Sequence, residues 1–100
     1  MASSSVTFGQ LLGLLNELGF STDEIRQIPE VRVPIRVCRH ATTNAVLFYR
    51  ERPLSEAARE HELLSTRTHL GYGGFLTPEA FDQFVESIEN SPKSRSRATK

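Results

Sequence analysis

Residues 31–50, VRVPIRVCRHATTNAVLFYR, constrain the fold more than any other stretch. Val31, Val33, Ile35 and Val37 alternate with Arg32, Pro34, Arg36 and Cys38, the period-two pattern of a strand with one covered face. Ala41-Thr42-Thr43-Asn44 supplies turn residues, and Ala45 to Arg50 is a second strand-forming run. The two runs are expected to pair antiparallel. Pro34 cannot donate to a ladder, which favours an edge position or a wide turn for the first strand. The second strand is apolar on both parities and is expected to be more central.

Helical patterns surround this hairpin. Thr7-Phe8-Gly9-Gln10 has the spacing of a capping box, with Val6 and Leu11 placed as a hydrophobic staple. Phe8, Leu11, Leu12, Leu15 and Leu18 then recur at helical spacing up to Gly19, a C-terminal stop. Ser21-Thr22-Asp23-Glu24 repeats the box pattern, but Pro29 leaves room for only a short helix or turn. Ser55 to Leu70 reads as a helix with Ser55 as a cap and Gly71 at its end. Leu76-Thr77-Pro78-Glu79 opens a last helix: Thr77 caps, Pro78 fits the first helical position, and Glu79 lies near the positive end of the dipole. Phe81, Phe84, Val85 and Ile88 form its apolar stripe.

These elements predict an α+β fold, an antiparallel sheet of two or three strands with helices on one face, in the order α-β-β(-β)-α-α. Residues 24–31 are the candidate for the third strand. One hundred residues suit a single domain, expected over residues 1–90. The segment SPKSRSRATK, residues 91–100, has no apolar residue larger than alanine and is expected to be a disordered basic tail.

Twelve basic and twelve acidic residues cancel, so no net field steers the chain towards nucleic acid or lipid. The charges are unevenly placed: the last ten residues hold four of the basic groups and none of the acidic ones. Cys38 is the only cysteine, which excludes an internal disulfide and suits a reducing, cytoplasmic setting. The N-terminal apolar stretch has no preceding Lys or Arg and is broken by Gly13, so it fails as a signal peptide. No apolar run approaches the roughly 20 residues that span a bilayer, and no membrane partner is expected.

Few motifs carry chemistry. His61-Glu62-Leu63-Leu64-Ser65 begins like a zinc-protease helix, but Ser65 stands where the second histidine is needed, so no metal site is expected. Gly71-Tyr72-Gly73-Gly74 follows a helix rather than a strand and reads as a cap and turn, not a phosphate cradle. No cofactor is expected. A lone Cys38 in a strand reads as inert packing. If the valines cover the core, Arg32, Arg36 and His40 line the opposite, wet face, where they either balance Glu30 and Glu51 or grip a phosphate backbone. Lys93, Arg95, Arg97 and Lys100 form a second candidate anion-binding group, or only a solubilising end.

Three stretches resemble the HicA-like toxin group, whose fold is similar to a double-stranded-RNA-binding domain. TFGQLLGLLNELGF is similar to the group's opening helix, RVCRHATTNAVLF to its strand–turn–strand, and LLSTRTHLGYGGFLTPEAFDQFVE to the two closing helices of a long-tailed branch. The resemblance implies metal-independent RNA cleavage by a histidine on the first long strand, with an antitoxin protein as partner. Histidine suits that task because a base near neutrality must take a ribose 2′-OH proton while cations stabilise the transition state. The group's Gly-Ser-His stretch registers on Val33-Pro34-Ile35, which puts isoleucine at the catalytic position. His40 matches a second histidine of the same strand. The expectation is a catalytically degenerate HicA-like protein that binds RNA or a partner protein, with Arg32, Arg36, Arg39 and the four tail cations as RNA contacts. The alternatives are an active ribonuclease using His40 with Arg36 or Arg39 as phosphate clamp, and an interaction module that adds a strand to the edge at residues 31–37.

Overall fold

The computed structural model describes residues 6–89. The order is α1 (Phe8–Glu17), β1 (Phe20–Arg26), β2 (Ile35–His40), β3 (Val46–Arg50), α2 (Glu60–Tyr72) and α3 (Pro78–Glu89). The fold is α+β with a three-stranded antiparallel sheet. The tail cations Lys93, Arg95, Arg97 and Lys100 lie outside the described residues. Contacts cluster in two compact units, residues 8–56 and residues 6–7 with 57–89.

In the first unit, α1 buries Phe8, Leu11, Leu12, Leu14 and Leu15. Its first turn borrows carbonyls from a turn far along the chain: Phe8 N–H donates to Glu56 O at 2.8 Å and Gly9 N–H to Leu54 O at 2.9 Å. This approach is close enough that a Cβ on Gly9 would stand 3.1 Å from Leu54. Gly19 closes the helix at φ +101°, and a Cβ there would meet the His40 ring at 2.9 Å. Glycine is therefore required twice over, by backbone and by neighbour.

The sheet order is β1-β2-β3, so β2 is central and β3 is an edge, the reverse of the sequence expectation. Pro34 lies just outside β2, where its missing N–H costs no ladder bond and its carbonyl accepts from Glu51 N–H at 2.9 Å. Strand addition at residues 31–37 is thereby corrected: β2 has both edges paired, and the free edges belong to β1 and β3. The third strand comes from residues 20–26, not 24–31, and takes in Ser21–Glu24, expected as a short helix or turn. Phe20 and Thr22 are its buried residues, and a register irregularity between Ser21 and Glu24 interrupts the alternation.

In the second unit, Ala57 bridges Thr7, and Ala58 N–H donates to Val6 O at 2.8 Å. The helix α2 starts at Glu60, later than Ser55, because Arg59 is its cap and Glu62 accepts from Arg59 N–H at 3.1 Å. It ends in the glycine turn: Gly73 N–H donates to His69 O, and Gly74 takes φ +78°. The start of α3 is as the sequence predicts, with Thr77 Oγ1 accepting from Ala80 N–H at 3.1 Å. Leu63, Thr66 and Leu70 of α2 and Phe81 of α3 are the buried residues of this helix pair outside Glu62.

Candidate functional site

Strand register divides the sheet into two faces. Arg36 opposes Tyr49, and Cys38 opposes Leu47, so these residues share a face with Phe20, which opposes His40. That face is the one α1 covers: the Phe8 ring meets Tyr49 edge-on at 6.1 Å, and the Arg36 guanidinium lies 5.9 Å from the same ring. The expected wet face of Arg36 and His40 is therefore the inner face. Arg32 is exposed on the segment before β2 and does not join them.

Arg36 is tolerated inside because every part of its fork is engaged. It forms a bidentate pair with Glu51, 2.8 and 3.0 Å, and its remaining nitrogen donates to Thr22 O at 2.9 Å. With only 12% of its side chain exposed, it ties β2 to β1 and to the end of β3 rather than waiting for a phosphate.

His40 is similarly occupied. Thr42 N–H donates to its Nδ1 at 3.3 Å, which makes Nδ1 an acceptor and leaves the ring proton on Nε2. That proton points at Leu18 O, 3.0 Å away, while the ring packs edge-on against Phe20 at 5.0 Å. This network assigns a neutral tautomer that joins the end of α1 to the β2–β3 loop. Cys38 is fully buried, and burial pushes its thiol up to about 11, so it is a packed neutral group at ordinary pH.

The outer face is different. Along β3 it carries Val46, Phe48 and Arg50; their register partners on β2 are Arg39, Val37 and Ile35; on β1 it continues with Glu24 and Arg26. Phe48 is 65% exposed, with Arg50 two residues along β3 and Arg39 diagonal to it on β2; Val37, directly opposite, is buried, and Arg26 lies two strands away on β1. Of these, Arg39 belonged to the RNA-binding expectation and Phe48 did not. The available signal was Leu47-Phe48-Tyr49 itself: in a strand its middle residue faces opposite to its neighbours, so burying Leu47 and Tyr49 turns Phe48 outward.

Glu24 sets the charge of this face. It accepts from Arg39 Nε at 2.7 Å and Arg26 Nε at 2.7 Å. These two bonds, Arg39 first, hold its carboxyl well below the usual range, at about 2. Because the folded value is depressed, the stabilisation is present above pH 4.5 and is lost as pH falls towards 2. A carboxylate titration followed by NMR is expected to give a Glu24 midpoint near 2, moving up in Arg39→Ala. A wild-type midpoint near 4.5 would contradict the bridged arrangement.

Among the described residues, no group of three or more His, Cys, Asp or Glu is placed to hold a metal ion, and no helix is long and apolar enough to cross a membrane. His61 is exposed on α2, and His69 Nδ1 is 2.9 Å from Ser65 O. No family model, curated protein or solved structure matches the chain. The HicA-like resemblance thus rests on its three sequence stretches, and the site defines the class by chemistry alone: a small α+β protein with an aromatic and arginines on an exposed sheet face.

Proposed function

We propose that the protein binds single-stranded RNA without cutting it, through the outer face of its sheet, as a catalytically silent relative of the HicA-like group. The observation that carries this reading is the exposure of Phe48 beside Arg39 and Arg50, with Arg26 further across the same face. An exposed ring offers a base a stacking surface, worth about 1–3 kcal/mol per base, and arginines beside it neutralise the adjoining phosphates. Glu24 offsets one of the three charges, which leaves a local excess on a chain of zero net charge. Cleavage needs a free base, whereas both nitrogens of His40 hold backbone groups and Ile35 has no titratable atom.

Binding and cutting are separable with one labelled single-stranded RNA. Wild type is expected to raise its anisotropy and leave it intact without divalent metal. Phe48→Ala is expected to weaken binding by about 1–3 kcal/mol, roughly 5- to 150-fold. His40→Ala is expected to alter stability without creating or abolishing cleavage. Metal-independent cleavage lost in a folded His40→Ala protein would promote the ribonuclease reading. If no RNA binds, the exposed apolar ring of Phe48 favours the second reading, a docking face for an antitoxin-like or other protein.

A further inference from the structure

The α2–α3 pair carries a second surface that RNA binding does not use. Between these helices runs an open groove of about 360 Å³, floored by Leu63 and Phe81 and widened by Leu64 and Val85. Leu64 is 60% exposed, an apolar side chain left at the groove's lip. The remaining lining residues are Glu60, Asp82 and Glu86 with a single cation, Arg67. Arg67 is already held by Asp82 through contacts of 2.9 and 3.2 Å, so Glu60 and Glu86 dominate the rim.

We propose that this groove receives a basic amphipathic helix of a partner protein, with apolar side chains on the floor and Lys or Arg against Glu60 and Glu86. Two packed helices with an apolar seam present the geometry into which a third helix lays its apolar face. The charge selects among occupants. A second copy would bring α3 against α3, and α3 carries Glu79, Asp82, Glu86 and Glu89 with no basic residue, so like charges would meet. The chain's own SPKSRSRATK segment has the right charge but no apolar side chain beyond one alanine and one proline to fill an apolar floor. A partner helix that is both basic and apolar satisfies both halves of the groove.

The test uses the full-length, isotope-labelled protein and a synthetic helical peptide with leucines along one face and lysines beside them. A peptide of the same composition in scrambled order is the control. The helical peptide is expected to bind saturably, to shift the Leu63, Leu64, Val85 and Glu86 resonances, and to weaken with salt. Glu60→Lys combined with Glu86→Lys changes two exposed residues and is expected to lower affinity about tenfold or more, with RNA binding unchanged. Leu64→Ala is expected to weaken the peptide without altering the salt dependence. Equal binding of the scrambled peptide, shifts located elsewhere, or unchanged affinity in the double variant would overturn the proposal. So would movement of the same resonances, with no peptide present, on removal of residues 91–100 or on dilution, since the occupant would then be the chain's own end or a second copy.

Discussion

Phe8→Ala is expected to lower the free energy of unfolding by about 3–5 kcal/mol, the largest single-site loss in the first unit. Phe8 is fully buried, and its ring serves three neighbours at once. Tyr49 meets its edge at 6.1 Å, and the guanidinium groups of Arg36 and Arg52 stand 5.9 and 5.1 Å from its centroid. Removing the ring opens a cavity in the helix–sheet contact and takes the aromatic surface from two cations, both of them nearly buried. Against a total of about 5–15 kcal/mol for a typical domain, such a loss leaves little reserve. Denaturant unfolding of the variant measures it; a loss under about 1 kcal/mol would mean that α1 does not cover the sheet through this residue.

Phe81→Ala is expected to cost a similar amount, about 3–5 kcal/mol, and Phe84→Ala distinctly less. The two rings are neighbours at 5.9 Å, and helical spacing gives them the same face. Their depths differ: Phe81 is 2% exposed, while Phe84 is only half-buried. Since the loss scales with apolar area removed from contact, the pair should separate in a melting experiment. Equal losses at both positions, or a larger one at Phe84, would contradict the packing of α3.

That pair also marks what periodicity can convey. A stripe identifies a face, and for α3 the Thr77-Pro78-Glu79 start was legible because each residue satisfies a separate local demand of a helix N-terminus. The hairpin was legible for the same reason, its alternation and turn residues being local. The strand β1 was not. Its sequence FSTDEIR is mostly polar and resembles a capping box, while the features that make it a strand are non-local: pairing with β2, a register irregularity, and burial of Phe20 and Thr22 alone.

The face assignment failed through another non-local effect. Alternation told the two parities of β2 apart but not that both hold a buried residue, Val37 on one and Cys38 on the other, nor that α1 packs on the side of Arg36. Arg36 turns inward because Glu51, fifteen residues on, and the Thr22 carbonyl complete its hydrogen bonds. The balance of Arg36 by Glu51 was one of the two sequence readings, but as a solvent-facing pair rather than one turned towards α1. The same inversion moved Phe48 to the outside and drew the candidate site away from Arg36 and His40, leaving Arg39 as the expected contact that the outer face retains. The apolar character of both parities of β3, read as a sign of centrality, is instead the exposed ring of Phe48 on an edge strand.

The claim that the outer face binds RNA, while the Arg36–His40 face only holds the fold together, has a direct measurement. Titrating the isotope-labelled protein with a short single-stranded RNA should shift the Phe48 ring signals and the Arg39 and Arg50 side-chain signals together, with the His40 ring proton unmoved. Shifts concentrated on His40 and Arg36, with Phe48 unaffected, would contradict the account.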